Sequence, residues 1–124
     1  FDLVRKKYFK LTAEEWVRQH VIHYLHTDKK YPFGLIGVEQ MIKYNNLRTR
    51  VDIVLYNKEG IPNMIVECKA PCVKITQDVF DQIARYNFQL KVKYLLVTNG
   101  LQHFCCSMDY KNSKISFLEQ IPEF

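Results

Sequence analysis

The chain has 124 residues, of which 48% are hydrophobic and 25% are charged, a composition typical of one globular domain and unlike that of a disordered segment. Its apolar runs are shorter than the ~20 residues that a membrane-spanning helix needs, and the sequence does not open with a signal-peptide pattern. The formal net charge of +5 at pH 7 is compatible with a polyanionic partner without requiring one.

The first predicted element is an amphipathic helix over residues 13–27. Thr12 has the chemistry of an N-cap, and Glu15 follows it three residues later, as in a capping box. A stripe at helical spacing predicts one buried face, formed by Trp16, Val17, His20, Val21, Tyr24 and Leu25.

Three meandering strands are predicted next, at residues 35–44, 48–56 and 63–69. The segments between them, Asn45-Asn46 and residues 57–60, have turn chemistry. If the second turn is symmetric, position 52 lies opposite position 67.

The second half predicts a helix and further strands. Thr76 can cap the helix, with an inner side formed by Val79, Ile83, Tyr86 and Leu90. The apolar run at residues 94–97 suits a buried strand parallel to the third, and residues 103–108 and 115–118 suit a hairpin. The expected fold is α/β, a mixed sheet flanked by helices, with an α-β-β-β-α-β core and a C-terminal hairpin in one domain over residues 1–124.

Three charges interrupt these apolar strands. Asp52 and Glu67 would face each other across the hairpin, where two carboxylates repel, and a divalent cation between them would remove that conflict. Oxygen ligands favour Mg²⁺ or Mn²⁺, with the backbone carbonyl of Cys68 as a further donor. Alternation puts Lys69 on the side of Glu67, where its amine could assist an attacking water. The alternative is a plain Glu67–Lys69 ion pair.

The motif Val51-Asp52 followed by Glu67-Cys68-Lys69 resembles that of the PD-(D/E)xK nuclease superfamily. Gln82 and Tyr86 add the Gln-x-x-x-Tyr signature of its RecB-like branch. Three stretches are similar to the N-terminal nuclease domain of type I restriction enzyme R subunits, namely residues 66–71, 80–87 and 95–100.

This resemblance implies a restriction-endonuclease-like fold and metal-dependent cleavage of DNA. Asp52 and Glu67 would hold Mg²⁺, Lys69 would serve the nucleophilic water, and Gln82 and Tyr86 would position the metal site or the DNA. Family members also use a glutamate on the first helix, so Glu15 is either a further metal ligand or only a capping residue.

The implied partners are DNA and, as in type I R subunits, a translocating motor with restriction-modification subunits. The chain has no P-loop, so it is either one domain of such a protein or a stand-alone relative. A catalytically silent module that binds DNA or a protein with the same fold remains the alternative to a nuclease.

Basic residues and cysteines complete the sequence-based predictions. Lys43 and Arg48 fit a solvated sheet edge, whereas Arg50, Lys74 and Arg85 are expected to contact DNA phosphates near the site. The cysteines lack the spacing of a disulfide framework, which predicts reduced thiols and a cytoplasmic location. They are Cys68, Cys72, Cys105 and Cys106.

Overall fold

A computed structural model describes residues 12–124 of the chain. Within them, two α-helices, α1 (Ala13–Thr27) and α2 (Gln77–Phe88), accompany a sheet of six strands in sequential order. The strands are β1 (Ile36–Tyr44), β2 (Leu47–Tyr56), β3 (Pro62–Cys68), β4 (Tyr94–Thr98), β5 (His103–Asp109) and β6 (Lys114–Leu118). A short 3₁₀ turn, Phe33–Leu35, precedes β1.

The sheet is mixed. The pair β3–β4 is parallel, and every other neighbouring pair is antiparallel. Parallel neighbours need a long crossover, which α2 supplies. One hydrophobic core lies between the sheet and α1, and the other lies between the opposite face and α2. The predicted α/β class, with helices on both faces of a mixed sheet, is confirmed.

The central strands are apolar on both faces because helices cover both sides of the sheet. Met64, Ile65 and Val66 are fully buried in succession on β3, and Leu95 to Val97 are buried beside them on β4. In the part of the chain that the structure describes, the helices are too short and too polar to traverse a bilayer. All four cysteines have free thiols.

The predicted helix bounds and cap of α1 are confirmed, but its predicted buried face is partly wrong. Thr12 Oγ1 accepts a hydrogen bond from the Glu15 N–H at 3.1 Å. Trp16 and Tyr24 are 38% and 40% exposed, and His20 is exposed with its ring against Trp16. The buried residues of the helix are Glu15, Val17, Arg18, Val21, Ile22 and Leu25. The buried face therefore includes two charged residues, which hydrophobic periodicity cannot identify.

The buried face of α2 also differs from the predicted one. The buried residues of the helix are Phe80, Ala84 and Asn87, whereas Tyr86 is 54% exposed. The small side chain of Ala84 packs in the core against the sheet. Thr76 Oγ1 accepts from the Val79 N–H at 3.2 Å, as predicted for the cap. The observed face turns Tyr86 towards solvent.

The first two strands change face at the level of Asp52. Their pairing is interrupted at Glu39 and Asp52, and Glu39 has a φ of +53°. On β2, Val51 packs in the core beneath α2, whereas Ile53 packs in the core beneath α1. Strict alternation would place Val51 and Ile53 on the same face, so the strand twists at Asp52. This irregularity lets the Asp52 side chain reach groups on both α1 and β3.

Candidate functional site

Both oxygens of the Asp52 carboxylate are held by neighbouring elements. Oδ2 accepts a hydrogen bond from the backbone N–H of Cys68 at 2.8 Å. Oδ1 accepts from Nη2 of Arg18 on α1 at 3.1 Å. The side chain remains 23% exposed. Asp52 is therefore fixed in orientation and still accessible from solvent.

Glu67 lies beside Asp52 on the neighbouring strand. The register pairs Ile53 with Val66, and its continuation by one residue sets Asp52 opposite Glu67. Burial raises the pKa of the Glu67 carboxyl, and the charge of Asp52 raises it further, whereas Lys69 lowers it. The Asp52 carboxylate is thus close enough to disfavour the charged form of Glu67.

Lys69 follows the end of β3 and faces the same side as Glu67. Its Nζ lies 3.4 Å from Oε1 of Glu67, and its backbone N–H donates to the Thr98 carbonyl at 2.8 Å. Cys68, between them, points into the core beneath α1. The backbone of Lys69 is thereby anchored to β4, while its side chain stays 31% exposed.

A groove of about 400 Å³ brings these strand residues together with α2. The exposed side chains of Gln82 and Tyr86 line it together with Glu67 and Lys69. The Tyr86 hydroxyl lies 3.4 Å from Oγ1 of Thr49, which is buried on β2. The groove is open to solvent beside Glu67.

Arg18 is the site residue that sequence reasoning missed. Its guanidinium contacts Glu15 on the same helix, Glu39 Oε1 at 3.2 Å and Asp52 Oδ1 at 3.1 Å. Burial lowers its pKa, but the hydrogen bond and charge of Asp52, with Glu15 and Glu39, raise it overall. The detectable signal was an acid–base pair three residues apart on α1, next to buried Val17.

Glu15 is buried and its carboxylate lies against Arg18, with Gln19 Nε2 at 3.5 Å from Oε1. Its backbone N–H also takes part in the Thr12 cap. The carboxylate thus serves as a partner for Arg18 in this arrangement. A role for Glu15 as a metal ligand stays a prediction.

The three basic residues expected near DNA occupy different surfaces. Arg50 lines the groove, and its Nη2 donates to Glu39 Oε2 at 3.1 Å. Lys74 is exposed in the segment before α2. Arg85 is on another side of α2, where it lines a separate groove with Phe88. The structure therefore brings Arg50 into the groove with Glu67 and leaves Arg85 outside it.

The donors around Asp52 fit a hard divalent cation. Among residues 12–124, no three side chains of His, Cys, Asp or Glu are grouped so that they alone could hold a metal ion. Mg²⁺, however, is commonly held by one or two carboxylates, with water and substrate phosphates as its other ligands. The adjacent carboxylates of Asp52 and Glu67 are an oxygen pair of that kind, and the Cys68 carbonyl as a further donor stays a prediction.

Sequence comparison assigns the family. The profile described as Type I restriction enzyme R protein N terminus matches residues 13–122. The chain belongs to this family. Comparison with curated proteins gives no match. The family assignment confirms the resemblance to R subunits and identifies a restriction-endonuclease-like domain.

Solved structures support the fold independently. A fragment of a candidate HsdR subunit of a type I restriction enzyme from Vibrio vulnificus is similar with a TM-score of 0.60 and 20% identity. The match covers 91% of this chain and 24% of that one, so the chain spans about a quarter of that structure. A candidate nuclease from Anabaena variabilis has a TM-score of 0.55 at 9% identity, covering 92% of this chain and 71% of that one. At these identities the likeness establishes the fold alone.

Proposed function

We propose that this domain is a metal-dependent DNA nuclease that hydrolyses phosphodiester bonds. The observation that carries the proposal is the convergence of Asp52, Glu67 and Lys69 beside a groove that Gln82 and Tyr86 line from α2. An ion pair at a strand end would explain Glu67 and Lys69, but not Asp52 opposite them. The family and the nuclease-like fold support the same conclusion.

The metal-binding residues of this proposal are Asp52 and Glu67, with the backbone carbonyl of Cys68. A bound Mg²⁺ or Mn²⁺ would lower the pKa of water and neutralise charge on the scissile phosphate. The Cys68 N–H and Arg18 hold Asp52 in one orientation, so the carboxylate needs little rearrangement to bind. Burial and then the charge of Asp52 raise the pKa of Glu67, and an added cation would relieve the repulsion between the two carboxylates.

Lys69 is proposed to act on the reacting groups. With its backbone fixed to Thr98 and its Nζ 3.4 Å from Glu67, the amine can hold the attacking water or stabilise developing negative charge. Gln82 and Tyr86 are proposed to position the DNA strand or the metal-bound end of the groove. Their exposed side chains can donate to phosphate oxygens or stack on bases.

DNA would be held mainly through its backbone. Arg50 at the groove is the best placed phosphate contact, and Lys74 before α2 and Arg85 on another side of α2 are proposed as further contacts outside the groove. Such contacts are sequence-independent and weaken with salt. We further propose that the domain works in the cytoplasm with a DNA-translocating motor and restriction-modification subunits. This part rests on the family name and on the similar HsdR fragment.

A catalytically silent DNA- or protein-binding module is the second candidate. The observation that favours it is that Arg18 and the Cys68 N–H already compensate the charge of Asp52. A carboxylate satisfied in this way does not require a metal ion for folding. The two candidates differ in one measurable property, cleavage of DNA on addition of Mg²⁺ or Mn²⁺.

The test is cleavage of supercoiled plasmid and of single-stranded DNA by this chain with Mg²⁺, Mn²⁺ or EDTA. We expect metal-dependent nicking that Asp52→Asn or Lys69→Met reduces by at least ~100-fold, since each removes a group that acts on the reacting atoms. Lys114→Met, at exposed β6, is the matched charge control and should retain cleavage. Equal DNA binding by all variants, without cleavage by any, would establish the silent module instead.

A further inference from the structure

The floor of the groove, formed by Thr49 of β2 and Asn87 of α2, is buried and polar. Both residues line the groove, and they are 5% and 4% exposed. Tyr86, which lines the same groove, is 54% exposed. Buried polar side chains normally complete their hydrogen bonds within the protein. The partners of Thr49 and Asn87 therefore show whether the floor is satisfied by the protein alone.

Neither floor residue uses its full hydrogen-bonding capacity. Nδ2 of Asn87 donates to the Ile83 carbonyl at 2.9 Å, which fixes the amide orientation because a carbonyl can only accept. Oδ1 of Asn87 has no hydrogen-bond partner among residues 12–124, and it is not sealed from solvent. Oγ1 of Thr49 has one long contact, at 3.4 Å to the Tyr86 hydroxyl. The floor thus offers a free acceptor and two weakly engaged hydroxyls to a ligand in the groove.

The walls and the rim of the groove have different chemistry. Val79 and Ile83 of α2 line it as half-buried apolar side chains. Arg50 and Lys69 form a cationic rim, with side chains 67% and 31% exposed, and the Glu67 carboxylate lies beside Lys69. A nucleotide combines an anionic phosphate, apolar base faces and a polar base edge. The volume of about 400 Å³ lies at the small end of the roughly 300–1,000 Å³ range of ligand pockets.

A polar floor can read a base only if the pairing edge of that base is free. In a duplex this edge is hydrogen-bonded to the complementary base, so a protein reaches it after the base has left the stack or in a single strand. All four bases carry at least one N–H on the pairing edge, and Oδ1 of Asn87 can accept from it. Recognition of this kind would tolerate any base sequence.

We propose that the groove binds one unpaired nucleotide and that single-stranded DNA is the substrate class of this site. The inference rests on the proposed nuclease function, because it names the DNA that the same groove takes. The base lies against Val79 and Ile83, with its pairing edge at the floor. Its phosphate stays at the rim. Negatively supercoiled plasmid fits the same rule, because supercoiling favours local opening of the duplex.

The test compares three fluorescently labelled oligonucleotides of equal length in EDTA, which prevents metal-dependent cleavage. They are a single strand, the same strand in a blunt duplex, and a strand with every base replaced by an abasic analogue. Anisotropy titrations with the wild-type chain should give a dissociation constant for the single strand about 10-fold below that for the abasic strand, and also below that for the duplex. The abasic strand keeps the phosphates, so the difference between the two strands reports the base.

Thr49→Val tests the floor itself. The substitution keeps the β-branched shape and removes the hydroxyl. Loss of one hydrogen bond should weaken binding of the single strand by about 3- to 10-fold, with a smaller effect on the abasic strand, which has no base to contact. Thr27→Val, at the exposed end of α1, is the matched control and should bind all three oligonucleotides as the wild type does. An equal loss on both strands in Thr49→Val would contradict a contact between the hydroxyl and the base.

The outcomes separate the inference from the proposed function. If the wild-type chain binds the single strand and the abasic strand equally, or binds the duplex most tightly, the inference is overturned, and metal-dependent cleavage remains a separate observation. A preference for the single strand without metal-dependent cleavage supports recognition of an unpaired nucleotide and refutes the nuclease. No binding of DNA by the wild-type chain overturns both.

Discussion

Replacement of Arg18 by methionine should destabilise the domain severely. The substitution preserves most of the buried aliphatic stem and removes only the guanidinium. That group now neutralises Asp52 at 3.1 Å, Glu39 at 3.2 Å and the adjoining Glu15. Removal of one member of a buried ion pair costs ~3–5 kcal/mol, and here Asp52 and Glu15 would both lose the guanidinium that contacts them.

The expected change in melting temperature follows from the size of the chain. An unfolding entropy of ~2.1 cal/mol/K per residue over 124 residues makes 1 kcal/mol equivalent to about 4 °C. The melting temperature of Arg18→Met should therefore fall by ~12–19 °C in metal-free buffer at neutral pH. Urea unfolding monitored by circular dichroism gives the free energy, and a thermal scan gives the melting temperature.

Arg50→Met is the control for charge alone. Arg50 also pairs with Glu39, but its side chain is 67% exposed. The Arg50→Met replacement should therefore lower the free energy of unfolding by at most ~1 kcal/mol. A loss of less than ~1 kcal/mol in Arg18→Met at neutral pH would refute the reasoning.

Three further predictions address other parts of the molecule. Since burial and the charge of Asp52 raise the pKa of Glu67 above its ordinary value of 4.5, the folded state binds that proton more tightly, and metal-free stability should fall as pH rises through and above 4.5. Urea titrations at several pH values should find that Glu67→Gln removes this fall in the free energy of unfolding. A larger fall in the variant would contradict the prediction. Thr76→Ala deletes the N-cap of α2 and should cost ~1 kcal/mol in urea unfolding, whereas no change would argue against the cap. Tyr86→Phe removes only a 3.4 Å contact to Thr49 from an exposed side chain, so thermal scans should change little while DNA cleavage falls; full cleavage would exclude a role for the hydroxyl.

The strands and their register were predictable from local patterns. Symmetry about the turn at residues 57–60 predicted that Asp52 faces Glu67, and the observed pairing of Ile53 with Val66 agrees. Alternation along β3 also predicted that Cys68 points to the face of the sheet opposite to Glu67 and Lys69. Cys68 does point into the core beneath α1. Turn chemistry and period-two patterning are properties of a few adjacent residues, so they can be recognised from the sequence alone.

Helix faces were less predictable because tertiary partners decide them. The stripe on α1 included Trp16 and Tyr24, which are substantially exposed, and omitted Arg18, which is buried. On α2 the predicted inner residue Tyr86 faces solvent, while Asn87 is buried with its amide donating to the Ile83 carbonyl at 2.9 Å. Hydropathy assigns charged and amide side chains to the surface, whereas a partner in the right place makes their burial favourable.

The sequence by itself determined the α/β architecture, the family and the chemical identity of the acidic pair with its lysine. These depend on short-range spacing and on motifs that lie within single elements. Only the tertiary structure decided how Asp52 is used. The interrupted pairing at Glu39 turns β2 so that one carboxylate meets both the Cys68 N–H and Arg18. That arrangement joins residues 34 positions apart in the chain, and neither periodicity nor composition carries information about it.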